Sequence, residues 1–320
     1  MSLPVPAAST ERALPDLARF RRPRLRDDVP ILWRGSDSIQ VGDDVILDRI
    51  TRSHVAWLTS LDGLASPEDI EESLTIPEHD ARRIVRALLV AGAIDDAARI
   101  PTAVRWAAQR DRDAVAGRFG AALRTYRDLE ATYDAVEARG RCAVAVVGDG
   151  PLADAVERAM AAAGLERADA GGATLTVLAD APHPDVPAHL GHDLPARPHL
   201  HVGALGDRAV IGPLVVPGRT PCLRCTHLHR RDADPAWPLL AVQWSQAVRA
   251  MACPPQDPIL MQVAAAHAAL LVRRWTDTPD DPDSWSGHAL ELHLPDGLPV
   301  RVARPAHPLC GCAWPQDPGE

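Results

Sequence analysis

Short apolar runs separated by turn residues fill the first hundred positions of the chain. Residues 29–50 contain three of them, VPILWRG, SIQVG and DVILDRI, with glycine-containing turns between them. Runs of this length bounded by turn residues predict three short β-strands.

Helix-start signals follow these strands. Ser53 is a candidate cap for a helix that runs to Leu61, and Ser66 precedes a proline at the first helical position. A third helix is predicted to begin at Pro77 and to place apolar side chains on one face (Ile84, Leu88 and Leu89) before it ends at Ala91. Three strands followed by three helices are typical of a winged-helix module.

The pattern changes at residue 141. A continuous apolar strand runs into a glycine turn at Gly148 and Gly150 and then into an Ala-rich helix. Strand patterns follow at residues 173–180, 199–205 and 208–216, then a long apolar helix at 257–275 and a hairpin around Pro295-Asp296-Gly297. Alternation of strands and helices predicts an α/β fold with a Rossmann-like parallel sheet covered by helices.

These patterns divide the chain into four segments. Residues 1–22 are interpreted as a flexible basic tail, with contact to an acidic partner as the alternative, because Arg outnumbers acidic residues there. Residues 23–97 form the winged-helix module, 98–140 a helical linker and 141–320 the α/β domain.

Composition excludes several classes of function. The net charge of −9 disfavours a protein that binds nucleic acid through a basic surface. All 34 cationic side chains are Arg, and the chain contains neither Lys nor Asn. A Walker lysine and a Schiff-base lysine are therefore excluded. The chain has no apolar run long enough to cross a membrane and no secretory signal pattern, so we expect a cytoplasmic protein without a membrane partner.

Cysteine spacing gives the strongest chemical signal. Cys222 and Cys225 form a C-x-x-C pair in PGRTPCLRC, and Cys310 and Cys312 form a C-x-C pair in HPLCGC. Two thiol pairs in Pro/Gly loops fit a closed, structural zinc site with four thiolates. The alternatives are unrelated thiols, a redox-active pair, or a histidine that replaces one cysteine, with three candidates nearby: His227, His229 and His307.

Other potential catalytic groups give weaker signals. Cys142 begins a strand and is interpreted as a small core residue, whereas Cys253 lies in a loop and could be a nucleophile. Five irregularly spaced histidines are interpreted as solvated loop residues: His183, His189, His192, His199 and His201.

The glycine turn is a candidate nucleotide site. Gly148 and Gly150 place backbone N–H groups at a helix N-terminus after a strand, an arrangement that can bind phosphate. Asp149 adds a negative charge to that turn, and Pro151 removes one N–H donor. We therefore interpret the turn as a vestigial site and predict that ATP is not bound.

Residues 212–243 and 307–315, which contain both cysteine pairs, resemble the ThiF-like proteins of actinobacterial peptide natural-product clusters. That family comprises cyclodehydratase components and precursor leader-peptide-binding proteins, and the resemblance covers roughly residues 23–315. It implies a winged-helix recognition element, a ThiF/MoeB-type domain and zinc on the four cysteines of the two pairs. It also implies a partner, a YcaO-type cyclodehydratase or another enzyme of the cluster.

The same resemblance implies where a leader peptide would bind. The peptide would add a strand to Asp44–Ile50 beside the helix Pro77–Ala91, by β-augmentation. The residues implied on the strand are Val45, Ile46 and Leu47, and those on the helix are Arg82, Arg83 and Arg86. The arginines would pair with acidic leader residues, or else form a solvated helix face.

Three functions therefore compete. The first is a catalytically inactive scaffold that binds a leader peptide within residues 23–97. The second is an active ATP-dependent adenylyltransferase, although adenylating relatives use a Lys and an Asn that this chain lacks. The third is a winged-helix DNA-binding regulator, which is disfavoured because Glu78 and Asp80 balance the arginines of the third helix. Homodimerisation is common for the fold.

Overall fold

The computed structural model of the chain describes residues 14–26, 29–43, 45–99, 121–123, 125–126, 128–181, 197–251 and 254–312. The chain divides into two compact units, residues 1–137 (unit 1) and 138–320 (unit 2). Within the described residues, no helix has both the length and the apolar character needed to cross a membrane.

Unit 1 contains two small antiparallel sheets. Its strands are β1 (Pro23–Leu25), β2 (Ile31–Trp33), β3 (Ser38–Val41), β4 (Val45–Asp48) and β5 (Ile94–Asp96). Strands β2, β3 and β4 form one sheet in that order, and β1 pairs with β5. The three strands predicted within residues 29–50 are thus confirmed, and β4 lies at one edge of its sheet.

Three helices follow β4 in unit 1: α1 (Arg52–Thr59), α2 (Pro67–Glu72) and α3 (Glu78–Val90). The cap of α1 is Thr51 and not Ser53, and the Thr51 N–H donates to Nδ1 of His54 at 3.0 Å. Ser66 caps α2 as predicted, since its hydroxyl accepts from the Asp69 N–H at 3.2 Å. Ile84 and Leu88 of α3 are fully buried in a core shared with Ile39 and Leu47.

The segment before β1 is part of this core. Leu14, Leu17 and Phe20 are buried with the side chains of α3 and the sheet, around a 3₁₀ turn at Pro15–Leu17. The expectation of a flexible tail through residue 22 is therefore wrong for residues 14–22. That expectation counted charges and overlooked the three-residue spacing of the apolar side chains, which turns them to one side while Arg19 between them stays exposed.

Unit 2 is built on one seven-stranded sheet. Its strands are β6 (Ala143–Val147), β7 (Glu166–Arg167), β8 (Leu175–Ala181), β9 (His199–Leu205), β10 (Arg208–Val215), β11 (His288–His293) and β12 (Pro299–Ala303). The order across the sheet is β12-β11-β10-β9-β8-β6-β7. Pairing is parallel from β7 to β9 and antiparallel from β9 to β12. The predicted parallel sheet is confirmed for β7, β6, β8 and β9, but two hairpins, β9–β10 and β11–β12, extend the same sheet with antiparallel strands.

Four helices belong to unit 2, α5 (Pro151–Ala162), α6 (Leu223–Ala233), α7 (Trp237–Arg249) and α8 (Pro258–Asp277), and α4 (Leu129–Arg141) contains the boundary between the units. Helices α5 and α8 cover one face of the sheet, where Val156 and Val272 are fully buried with Val177 and Val202. The linker predicted over residues 98–140 is helical over α4, and residues 100–120 lie outside the described residues.

Candidate functional site

The four cysteines of the two predicted pairs converge in unit 2. Cys222, Cys225, Cys310 and Cys312 place all four sulfurs within 4.8 Å of one another. The Sγ–Sγ distances include 3.9 Å within the first pair, and 3.4 and 3.2 Å between the pairs. A zinc ion bound by four thiolates at about 2.3 Å would hold the sulfurs about 3.8 Å apart. The cluster therefore has the donors and the size for such an ion.

A helix start and a tight turn position these thiols. Cys222 is the N-cap residue of α6, and Cys225 lies in the first turn, where its N–H donates to the Cys222 carbonyl at 3.0 Å. The second pair lies in a turn after β12, in which the Cys310 N–H donates to the His307 carbonyl at 2.9 Å. The first pair was predicted in a loop, whereas it begins a helix that the apolar pattern did not reveal.

Electrostatics at the cluster favour a bound cation. Burial and the hydrogen bonds that its thiol donates to neighbouring sulfurs raise the pKa of Cys310 to about 11, and the same causes raise the pKa of Cys312. Burial alone would raise the pKa of Cys225, but hydrogen bonds from backbone groups and thiols hold it below its usual value. Four thiolates this close need a positive charge between them, because their mutual repulsion otherwise keeps most of them protonated.

The three histidines considered as replacement ligands have other partners. His307 is buried, with Nε2 2.8 Å from an Asp232 carboxylate oxygen and Nδ1 accepting from the Leu309 N–H at 3.1 Å. His227 accepts from the indole N–H of Trp237 at 3.0 Å, and His229 packs its ring edge against His307. Within the described residues, the four cysteines are the only metal-binding group of three or more side chains.

The glycine turn joins β6 to α5. Gly148 and Gly150 have φ values of 142° and 90°, and Gly150 is the N-cap residue of α5. Ala153 is 4% exposed and supplies a third small position, which completes a G-x-G-x-x-A spacing that the sequence analysis missed although the letters alone show it. Asp149 is exposed in the turn, and Pro151 is the first helical residue, as expected.

Two of the five histidines interpreted as solvated are buried instead. His199 and His201 are each 3% exposed on β9. Burial lowers the pKa of His199, whose Nδ1–H donates to the Arg197 carbonyl at 3.0 Å. They were misread because they were grouped with the histidines of the Pro-rich segment before them, although residues 199–205 were also predicted as a strand. The other three, His183, His189 and His192, lie outside the described residues, as does Cys253, whereas Cys142 is a core residue as predicted.

The predicted peptide strand, Asp44–Ile50, is observed as β4 over Val45–Asp48. Arg49 and Ile50 lie beyond the end of the strand, and Asp44 lies outside the described residues. The N–H groups of Arg34 and Gly42 donate to the carbonyls of Ser38 and Pro30 at 2.9 Å, so the even-numbered residues of β3 bond to β2. Antiparallel strands alternate, and the odd-numbered residues of β3 therefore bond to Val45 and Leu47. The backbone groups of Ile46 and Asp48 point toward the open edge.

Side chains of β4 divide in the same alternating way. Val45 and Leu47 are 7% and 3% exposed and belong to the core, whereas Ile46 is 54% exposed on the outer face. The edge of β4 therefore combines an apolar inner side with backbone donors and acceptors that no neighbouring strand pairs with among the described residues, which is what an added strand requires.

Each of the three predicted arginines already has an acidic partner in unit 1. Arg82 contacts Glu78 at 2.6 Å, and Arg86 contacts Asp16 at 3.1 Å. Arg83 donates from Nη2 to the Asp48 carbonyl at 3.1 Å and lies 3.4 Å from an oxygen of Asp80. Of the three, Arg83 is the one whose hydrogen bonds reach β4 within the described residues.

Comparison with known proteins finds similarity at the level of the fold. No family model and no curated protein sequence matches it. Among solved structures it is similar to a heterocyclase in complex with substrate and cofactor, with a TM-score of 0.58 and 16% identity over 92% of this chain and 39% of that one. The heterocyclase TruD is similar with a TM-score of 0.57 and 16% identity, over 92% of this chain and 43% of TruD. E. coli MccB with MccA-N7isoASN is similar with a TM-score of 0.53 and 15% identity, over 91% of this chain and 99% of MccB.

These similarities establish an α/β fold related to those heterocyclases and to MccB. The chain spans about two fifths of the heterocyclase chains, 39% and 43%, and nearly all of MccB. Identities of 15% and 16% support a shared fold and not a shared activity.

Proposed function

We propose that this chain binds the leader segment of a ribosomal precursor peptide and presents the peptide to a separate enzyme, a YcaO-type cyclodehydratase or another enzyme of the same gene cluster. The observation that carries this proposal is the open edge of β4 beside α3 in unit 1. Structures of the similar fold include MccB with MccA peptides and a heterocyclase with its substrate, which supports a peptide ligand.

Peptide binding at this edge follows from unsatisfied backbone groups. Ile46 and Asp48 direct N–H and C=O groups away from β3, and no other strand pairs with β4 among the described residues. An extended peptide supplies the missing partners, and its inward side chains add to the apolar surface of Val45 and Leu47.

Unit 2 acts in this proposal as a scaffold and not as an adenylating enzyme. The chain contains no Lys and no Asn, so the phosphates of ATP would lack the compact cation that such enzymes provide. Asp149 places a negative charge within the glycine turn, and Pro151 lacks an N–H donor there.

Zinc is the metal proposed for the cysteine cluster. Four sulfur donors within 4.8 Å leave no position open for water or substrate, which is typical of a structural site. When bound, the ion would cross-link the segment around Cys310 to the start of α6. His307 and Asp232 support the turn from outside through their 2.8 Å contact.

Fluorescence polarisation of labelled leader peptides from neighbouring reading frames tests the proposal on the full chain. Ile46→Pro removes an N–H that points to the open edge and leaves the β3–β4 hydrogen bonds in place, whereas Ile46→Ala keeps that N–H. We expect at least one leader to bind, Ile46→Pro to abolish binding, and Ile46→Ala to retain most of it. Equal binding by the wild type and Ile46→Pro would move the site elsewhere.

An adenylyltransferase is the second candidate, favoured by the G-x-G-x-x-A turn at the start of α5. MccB, which shares the fold, has been crystallised with ATP. ATP–pyrophosphate exchange in the presence of Mg²⁺ and precursor peptide distinguishes the two functions. Exchange that is lost in a Gly148→Asp variant would establish the enzyme and overturn the scaffold.

A further inference from the structure

The guanidinium group of Arg83 lies at one end of the open edge of β4. Its Nη2 donates to the carbonyl of Asp48, one of the backbone groups that point to that edge. Its Nε and Nη1 donors have no hydrogen-bond partner within the described residues, and the side chain is 42% exposed. Arg83 therefore occupies the last carbonyl of the open edge, and its Nε–H and Nη1–H groups are available to a ligand.

The acid nearest to Arg83 is already shared. Asp80 also lies 3.4 Å from the ring nitrogens of His54 and of His79, and its own contact with Arg83 is long, at 3.4 Å. An incoming carboxylate could take a two-pronged hydrogen bond from a guanidinium group, which is stronger and more directional than a single long contact. Arg82 and Arg86 differ, because their closer contacts are to Glu78 and Asp16.

Strand geometry fixes which peptide residue reaches Arg83. In an antiparallel addition, one peptide residue exchanges two hydrogen bonds with Ile46, and the residue before it lies opposite Leu47. That preceding side chain points inward, on the same side as Leu47 and α3, and is the inward position closer to Asp48 and Arg83. The next inward position is opposite Val45, two residues later in the peptide and away from the guanidinium.

We propose that Arg83 sets the register of the bound strand by pairing with an acidic side chain opposite Leu47. The preferred peptide then contains an acid followed two residues later by an apolar residue that covers Val45. Because the Asp48 carbonyl is occupied by Arg83, the Asp48 N–H is the last group of β4 that pairs with the peptide backbone. This inference rests on the proposed peptide-binding function and specifies the peptide that the edge selects.

Selection from a library of random 12-residue peptides displayed on their own mRNA, with the full chain immobilised, tests the inference. The proteins compared are the wild type, Arg83→Glu and Arg83→Gln, with Arg82→Glu and Arg86→Glu as matched charge controls on the same helix. Circular dichroism confirms the fold of each variant. We expect the wild type and both controls to enrich acid-x-apolar sequences, Arg83→Gln to lose the acid, and Arg83→Glu to select Arg or Lys at that position.

A selected peptide whose acid is replaced by its amide should bind the wild type about tenfold more weakly and bind Arg83→Gln with unchanged affinity. Enrichment without a fixed acid, with the reverse order apolar-x-acid, or with the same acid in Arg83→Glu would overturn the register inference and leave peptide binding intact. A library from which no sequence is enriched on the wild type would overturn the proposed function itself.

Discussion

The two units differ in where their polar groups point, toward one another in unit 2 and outward in unit 1. In unit 2 the cysteine sulfurs face one another within 4.8 Å, and His307 around them is bonded at both ring nitrogens. In unit 1 the outer edge of β4 keeps backbone donors and acceptors pointing outward, next to an arginine with unused donors. Enclosed groups stabilise a structure, whereas open groups are available to a ligand. This difference is the basis of the proposal that unit 2 has a structural role and that unit 1 binds the peptide.

Removal of the cysteine ligands should have the largest effect on unit 2. Cys222→Ser and Cys310→Ser should each abolish zinc binding, because each removes one of the four proposed thiolate ligands. They should also destabilise unit 2 strongly, because a structural zinc site contributes on the order of 10 kcal/mol to folding. Metal analysis should find about one zinc per chain in the wild type and almost none in either variant, together with a large fall in Tm. Cys142→Ser, outside the cluster, should keep its metal. Full zinc content in both ligand variants would show that the cluster is not the site.

A buried ion pair should come next in size. Arg139 donates to both carboxylate oxygens of Asp277 at 2.7 and 2.5 Å, and the two side chains are only 5% and 4% exposed. Arg139→Met should lower the free energy of unfolding by about 3–5 kcal/mol in urea titrations, because it strands a buried carboxylate.

Its matched control is the exposed pair of Arg167 and Glu157. These groups lie 3.1 Å apart with Arg167 80% exposed. Arg167→Met should cost no more than about 1 kcal/mol. Equal losses from the two variants would contradict the assignment of the Arg139–Asp277 pair to a buried, stabilising role.

A smaller and pH-dependent effect is expected at Glu291. Its carboxylate oxygens accept from Arg208 at 2.8 Å and from Arg304 at 2.7 Å, and although burial alone would raise its pKa, these two hydrogen bonds hold the pKa below its usual value. A lowered pKa in the folded state means that this stabilisation is present above the unfolded pKa and is lost as the pH falls through the folded pKa.

Glu291→Gln should therefore destabilise the protein by about 1–3 kcal/mol at pH 7. Chemical denaturation at a series of pH values should show the difference shrinking as the pH falls below about 4. A difference that stays constant down to pH 3 would mean that the lost contribution is packing and not charge.

The smallest signal is expected at the glycine turn. Calorimetry with ATP and Mg²⁺ should show no binding tighter than roughly millimolar, about −4 kcal/mol. Micromolar affinity for ATP that disappears in Gly148→Asp would show that the turn binds nucleotide. It would contradict the proposal that unit 2 has only a structural role.

Sequence reasoning succeeded where a local pattern determines the structure. Spacing alone predicted the four cysteines as one group, and turn residues predicted β2, β3 and β4. Sequence reasoning failed where contacts between residues far apart in the sequence determine the structure. The pairing of β1 with β5 joins residues about seventy positions apart, and the packing of Leu14, Leu17 and Phe20 needs a core that forms elsewhere in the chain.

Partners of charged side chains were also hidden from the sequence. Arg86 was predicted as a peptide contact, but its carboxylate partner is Asp16, which lies seventy residues earlier. The strand alternation of β4 was foreseen, whereas the choice of Ile46 as the outward residue depends on which face of the sheet meets α3. Such choices are set by tertiary packing and not by the strand's own residues.

Residue-resolved amide hydrogen exchange of the full chain, with and without a bound leader peptide, tests the central claim most directly. We predict that the peptide slows exchange of the Ile46 and Asp48 amides about tenfold or more, while those of Val45 and Leu47, already bonded to β3, change little. This alternation along β4 is the signature of an added strand. Tight binding that leaves the Ile46 and Asp48 amides unchanged would contradict the account.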